Sequence, residues 1–499
     1  MTLTSLPFYL LVLALLVLYY LVPKRFQWVV LLIGSYAFYA FVCLRYMGFI
    51  VVTTLTTYFG ARGMDAMTAH MEQTVAAHKQ DWEREERKAY KKRCKSRRKA
   101  LMIAILLLNF GILAVLKYYN FFAESMETLF ASVGLTVSLG HIGLLLPLGI
   151  SFYTFQSMGY VLDVYREKVP AERNVGKLAL FVSFFPTILA GPIMRARQFL
   201  PQLGHRTWDS RDLQEGFALI LSGLFKKVVI ASYLSEHIVR DVFESPEFYS
   251  SWTILAAVYA YSIQIFCDFS GYSDMAIGVG RLMGFRLPEN FRSPYLALNI
   301  QDFWRRWHIT LSLWLRDYLY IPLGGSRRGN RYLNLIITMA LGGLWHGSNI
   351  RFLVWGVMHG VGLAVVHAFH ELKKRFWPDG FTPSPALHWC GVGASWLLTF
   401  HFVSFLWVFF RAEDMERSLE ILRRVFVFGQ PGEGFPLLVI PAVLIGLALQ
   451  LFGARLFAAF VDAQERLPWA VQAVVLALVG GFILKMGPDG VMPFIYYQF

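Results

Sequence analysis

The chain is built of long apolar runs separated by short polar stretches. Runs stand out near 5–22, 26–44, 46–60, 100–117, 141–162, 176–192, 215–233, 252–268, 271–285, 333–347, 351–370, 389–410, 434–453 and 469–486. Most approach the roughly 17 to 25 residues that a helix needs to cross a ~30 Å hydrocarbon layer. They are continuous rather than alternating, and longer than the ~10-residue strands of a membrane β-barrel, which excludes that class. Helices follow, because lipid offers no partner for backbone N–H and C=O groups. Several runs are short and read as re-entrant or broken, so the pattern predicts about 10 to 13 spans plus interfacial helices. The first run, Pro7 to Val22, lacks a basic leader and a small-residue cleavage site and reads as a first span.

Composition agrees. Of 499 residues, 56% are hydrophobic and 16% charged, with mean hydropathy +0.47. A soluble domain is about 25% charged. A string of soluble domains is therefore excluded, and residues 1–499 read as one all-α integral membrane domain. Four cysteines, Cys43, Cys94, Cys267 and Cys390, show no C-x-x-C spacing. They read as small apolar side chains rather than a disulfide framework or zinc site.

Charge changes the picture in two places. The formal net charge is +14, and half of it lies in residues 79–99, which hold eleven basic and four acidic residues. The positive-inside rule predicts a basic cytoplasmic loop there, and Lys24 and Arg25 agree, leaving the N-terminus outside. A juxtamembrane basic run attracts anionic lipid headgroups, so membrane lipids, not nucleic acid, are the expected partner. The second excess, net +4, lies between Asp302 and Arg331 and is interleaved with aromatics. Read as one helix, Trp307, Leu311, Trp314 and Tyr318 form an apolar stripe, with Asp302, Arg305, Ser312 and Arg316 on another face. That pattern suits an interfacial helix.

An ionisable residue inside an apolar span is costly and is a functional candidate by default. The sharpest is His346 in Leu341-Gly342-Gly343-Leu344-Trp345-His346-Gly347. Burial would keep its ring neutral, which a general base must be before it takes a proton. The flanking glycines would let a substrate or another backbone approach closely. His308, at the edge of the tryptophan stripe, is the second candidate. His359, His367 and His370 share one helix face and read as an interfacial cluster; no metal site is expected. Asp268 and Asp274 flank a break between two apolar runs, predicting a polar cavity or unwound joint, or pairing with Arg281, Arg286 or a histidine.

Several ordered motifs then carry a resemblance. They are Phe266-Cys267-Asp268-Phe269-Ser270-Gly271-Tyr272-Ser273-Asp274, Pro288-Glu289-Asn290-Phe291, Phe303-Trp304-Arg305-Arg306-Trp307-His308, Tyr320-Ile321-Pro322-Leu323-Gly324-Gly325 and Gly342-Gly343-Leu344-Trp345-His346-Gly347. Phe184-Phe185-Pro186-Thr187-Ile188-Leu189-Ala190-Gly191-Pro192-Ile193 and the C-terminal Phe494-Ile495-Tyr496-Tyr497-Gln498-Phe499 lie outside that core. The core, 267–360, resembles the membrane-bound O-acyltransferase superfamily, and within it the bacterial alginate O-acetyltransferase AlgI group. The resemblance implies a multi-helix bundle around a central funnel, with His346 as the essential histidine and His308 as the second. It implies a multi-pass protein of the bacterial inner membrane that takes acetyl from cytoplasmic acetyl-CoA and exports it. A periplasmic or extracellular partner protein then places it on a polysaccharide.

Acyl transfer needs a base and stabilisation of a tetrahedral oxyanion. Trp345, Asn349 or backbone N–H groups near His346 are candidate donors. A polyanionic donor needs cations, for which Arg305, Arg306, Arg327 and Arg328 are candidates. Another acyl group or acceptor (D-alanyl for teichoic acid, peptidoglycan, a lipid) is the alternative within the superfamily. A secondary transporter using Asp268 and Asp274 is the alternative outside it; it would favour inverted repeats, and none are visible.

Overall fold

The computed structural model describes residues 2–141, 143, 147–204, 208–376, 384–429 and 431–486. The Phe494 to Phe499 motif lies outside the described residues. Among those described, every named element is helical, and one isolated bridge joins Tyr249 and Glu433. Seven helical segments among them are long and apolar enough to cross a membrane: Lys24–Ala77, Arg84–Ser132, Ser210–Glu244, Ser251–Leu282, Ile350–Phe376, Pro385–Arg411 and Val439–Glu465. Two shorter apolar helices stand at Leu6–Leu21 and Trp469–Ile483. The chain forms two compact units, one ending at Trp208 and taking back Met283–Leu287, the other holding the rest.

The first unit contains α1 (Leu6–Leu21), α2 (Gln27–Cys43), α3 (Met47–Ala77), α4 (Arg84–Ser132), α5 (Ile150–Tyr165) and α6 (Val175–Ser183). Its core is aromatic. Phe8 meets Phe38 at 5.7 Å, and Phe184 meets Phe199 at 5.0 Å and Phe285 at 5.4 Å. The apolar run 176–192 is not a spanning helix. It leaves helical geometry after Ser183, two residues before the start of a turn that contains Pro186. Proline lacks an N–H and disfavours helix in the residue before it. The run is apolar because it is buried core, not because it faces lipid.

The basic segment is not a loop. Only residues 78–83 turn; from Arg84 onward the cations sit on α4, which continues for 49 residues. A capping box between Glu83 and Glu86 starts it. At 1.5 Å per residue α4 is ~74 Å long, far more than a bilayer core, so its charged first turns extend beyond the lipid. Arg98 is buried, pairs with Glu167 and donates to the carbonyls of Val164 and Tyr165. It thereby closes the C-terminal end of α5.

The second unit begins with α7 (Ser210–Leu224), which runs on through π-helical stretches at Phe225–Ala231 and Ser235–Val239. It packs on α8 (Ser251–Leu282) almost backbone to backbone. A Cβ on Gly223 would lie 2.4 Å from the Gly271 carbonyl oxygen, and one on Gly278 would lie 2.6 Å from that of Gly216. No break separates Asp268 from Asp274: α8 is continuous for 32 residues. Its acids are accommodated by lysines from the neighbouring helix, so no unwinding is needed to hydrate them.

Then come α9 (Ile300–Arg306), α10 (Ile309–Leu315), α11 (Arg331–His346), α12 (Ile350–Phe376), α13 (Pro385–Arg411), α14 (Met415–Val425), α15 (Val439–Glu465) and α16 (Trp469–Met486). α11 and α12 form a tight antiparallel hairpin. A Cβ on Gly343 would lie 2.2 Å from the Phe352 carbonyl oxygen, and one on Gly356 would lie 2.3 Å from that of Met339. At the open end, Glu371 pairs with Arg331 and accepts from the Tyr332 hydroxyl at 2.7 Å. The closed end carries His346. All four cysteines are free, but only Cys267 is buried, and Cys390 is exposed.

Candidate active site

The expected single helix over the second basic cluster is broken at Trp307 and His308. His308 adopts a left-handed backbone (φ 43°), which a non-glycine residue holds only when its surroundings impose it. Asn290 imposes it here. Its carbonyl accepts from the Ile309 N–H at 2.9 Å, and its side-chain oxygen accepts from the Thr310 hydroxyl at 2.9 Å. Arg292 N–H also donates to the Arg306 carbonyl at 2.9 Å. The Pro288 to Phe291 motif therefore acts as a splint for the break. His308 is fully buried rather than interfacial, with its ring 4.7 Å from Phe269 and 6.0 Å from Trp345. Burial pushes it from its ordinary value of 6.5 down to about 3. The tryptophan stripe survives the break: Trp307, Leu311, Trp314 and Tyr318 are all buried.

His346 ends α11 inside an aromatic cage. Its ring lies 5.1 Å from Trp355 and 5.1 Å from Phe410. Gly343 admits the backbone of α12, and Gly347 admits the Phe352 ring, which a Cβ there would meet at 2.1 Å. The glycines around His346 thus serve close packing of protein on protein. Trp355 stands between two histidines, 5.1 Å from His346 and 4.8 Å from His359.

His359 is the residue that sequence pattern misplaced. It is not part of an interfacial cluster with His367 and His370, of which the first is half-buried and the second exposed. It is fully buried, stacks on Phe303 and accepts the Trp304 indole N–H at Nδ1 across 3.3 Å. Trp407 completes the wall, 4.9 Å from Trp307 and 5.6 Å from Trp355. The signal was present as Trp355 and His359 one helical turn apart, but spacing cannot tell which face meets protein and which meets lipid.

The acids and cations sort differently. Asp268 pairs with Lys227, both buried, and Asp274 accepts from Lys226 at 2.6 Å and from Ser222 at 3.3 Å. Neither pairs with Arg281, which holds Glu215 and Asp212 instead. Asn349 accepts from the Arg351 N–H at 3.1 Å and so starts α12. Arg306 is held by Asp302 at 2.9 Å. Arg305, Arg327 and Arg328 are exposed. The last two sit in a glycine turn whose carbonyls, from Gly325 and Arg328, accept from the Asn334 amide. That turn lies at the opposite end of α11 from His346, and the 16-residue helix puts ~24 Å between its ends. Among the described residues no cluster of three or more His, Cys, Asp or Glu residues is placed to hold a metal ion.

His346 is buried among aromatic rings, one helix length from the arginine-bearing turn at the other end of α11. The chain belongs to the membrane-bound O-acyltransferase family, whose description, "MBOAT, membrane-bound O-acyltransferase family", it matches over residues 174–410. It is 36% identical to a Pseudomonas putida protein named Probable alginate O-acetylase AlgI, over 97% of this chain and 96% of that one. It is 36% identical to Peptidoglycan O-acetyltransferase of Helicobacter pylori, over 81% of this chain and 73% of that one. To Teichoic acid D-alanyltransferase of Bacillus subtilis it is 30% identical, over 52% of this chain and 67% of that one. The protein is thus a multi-pass membrane O-acyltransferase.

Proposed function

We propose that the protein is an O-acetyltransferase of the bacterial inner membrane that passes acetyl from cytoplasmic acetyl-CoA toward an exported polysaccharide. The observation that carries this reading is the placement of His346 at the closed end of the α11–α12 hairpin, one helix length from the arginine-rich turn. Lys373, Lys374 and Arg375 in the last turn of α12 support a cytoplasmic open end under the positive-inside rule. A polyanionic donor then meets Arg305, Arg327 and Arg328 first, and its thioester, on a long arm, reaches inward to His346.

In the reaction, neutral His346 takes the proton of an acceptor hydroxyl arriving from the outer side. The hydroxyl oxygen bonds to the acetyl carbon, and the carbonyl becomes a tetrahedral oxyanion. Collapse breaks the carbon–sulfur bond, and the imidazolium returns its proton to the leaving thiolate. The products are the acetyl ester and free CoA. His308 lines the same aromatic region on the α10 side and stays neutral there. A periplasmic partner protein that receives the acetyl group and places it on the polymer rests on the family resemblance. The alginate acetylase name of the full-length Pseudomonas relative supports an alginate-like acceptor. The equal identity to the Helicobacter relative makes a peptidoglycan sugar the second reading.

Sealed inverted vesicles carrying the protein should transfer label from [14C]acetyl-CoA and release CoA. His346→Ala, expressed at the same level, should lose that transfer. Near-normal transfer in this variant rejects the role of His346.

A further inference from the structure

We propose that Arg351 is a positioning residue for His346, acting through Phe410. Arg351 is the second residue of α12 and is buried. The last carbonyls of a helix have no intrahelical partner. At the end of α13 the Val408 carbonyl accepts from the Ala412 N–H, and the next two are taken by one side chain. Arg351 Nη1 donates to the Phe409 carbonyl at 3.1 Å and to that of Phe410 at 2.7 Å. A single guanidinium thus fastens the start of α12 to the end of α13.

Phe410 is the consequence. Its carbonyl is held by Arg351 while its ring sits 5.1 Å from His346, 5.2 Å from Phe352 and 5.5 Å from Trp355. The guanidinium also lies 4.3 Å over the Phe352 ring, the ring that packs into the space left by Gly347. Arg351 therefore holds both Phe410, which packs on the imidazole, and Phe352, which packs on Gly347 beside it. Apolar packing alone would leave two buried carbonyls without donors, and a planar fork is suited to supply them. Small displacements of a reacting group are expensive in rate, so fixing Phe410 fixes the base.

This inference rests on the reading of His346 as the base, and the test separates the two. Arg351→Met, Arg351→Lys, Phe410→Leu, the Arg351→Met/Phe410→Leu double variant and His346→Ala are compared for maximal rate, donor KM and melting in detergent. Arg351→Met should lower the maximal rate roughly 10- to 100-fold with donor KM unchanged. Arg351→Lys should regain part of it. Because Arg351 acts through Phe410, the double variant should be no slower than Phe410→Leu alone. Multiplying losses, or a wild-type maximal rate in Arg351→Met or Phe410→Leu, overturns the proposal. Should Arg351→Met not fold, Phe410→Leu and Arg351→Lys decide it: a wild-type rate in Phe410→Leu overturns it, and a lowered rate at unchanged donor KM in both supports it. Full transfer in His346→Ala instead removes the underlying reading.

Discussion

Trp304 donates its indole N–H to Nδ1 of His359 across 3.3 Å, tying α9 to α12 in the centre of the second unit. Indole nitrogen is a donor only, so this bond assigns the neutral His359 tautomer with its proton on Nε2. Trp304→Phe keeps the aromatic packing and removes the donor. It should cost about 1 kcal/mol, the usual net value of one hydrogen bond. His359→Ala should cost more, because it also opens a cavity among Phe303, Trp355 and Trp407. Melting in detergent ranks the two; an unchanged midpoint in Trp304→Phe would show the bond is neutral.

The Lys227–Asp268 pair is buried on both sides. Removing one partner strands a charge and should destabilise by roughly 3–5 kcal/mol. Lys227→Met together with Asp268→Leu should be markedly less damaging than either alone. A transporter that used Asp268 on an ion path would instead lose activity equally in all three, which flux or transfer assays on the folded variants would reveal.

At the α7–α8 contact, Gly271→Ala would place a methyl 2.7 Å from the Gly223 carbonyl oxygen. Backbone cannot yield as a flexible side chain can, so the helices must separate. A loss of about 1–3 kcal/mol is expected. Gly391→Ala, with nothing within 4 Å of its Cβ, is the control and should melt as wild type does.

Arg327→Gln with Arg328→Gln should raise the KM for acetyl-CoA several-fold and leave the maximal rate intact, since both arginines are exposed and a helix length from His346. The wild type should show rising donor KM with ionic strength, and the double variant a weaker dependence. An unchanged KM in low salt would remove these arginines from donor binding.

His308 lies outside the seven candidate spans, and burial lowers it from 6.5 to about 3. Between those values the unfolded chain binds a proton that the folded chain refuses, so stability falls as pH drops through that window. His308→Asn, which does not titrate, should flatten the dependence of the melting midpoint between about pH 7 and pH 5. Equal slopes in the two proteins would exclude His308 as the titrating group.

Apolar runs read in one dimension located α12, α13 and α16 to within about six residues and found α15 but ended it 12 residues early, because lipid demands long apolar helices wherever the chain crosses it. The same criterion mistook 176–192 for a span, since a buried turn around Pro186 is as apolar as a lipid-facing helix. The basic segment read as a loop is the charged start of α4, because charge density reports contact with water and not backbone conformation. Asp268 and Asp274 suggested a break in α8 because their partners, Lys227 and Lys226, are 41 and 48 residues away respectively. The burial of His346 was legible, the residue being a lone ionisable group at the end of an apolar stretch. His359 was not, because its neighbours on the helix resemble those of His367.

The sequence by itself determined that this protein is a membrane-embedded helical acyltransferase, and it singled out His346 as the foremost candidate for a reactive group. Composition, run length and ordered motifs are properties of the chain alone. Tertiary structure decided which histidines are walled by tryptophan, that Asn290 forces the turn at His308, and that Arg351 reaches the end of α13. Asn290 is 20 residues from Thr310, Trp304 is 55 from His359 and Arg351 is 58 from Phe409, and no local period records which distant carbonyl or ring a helix face will meet.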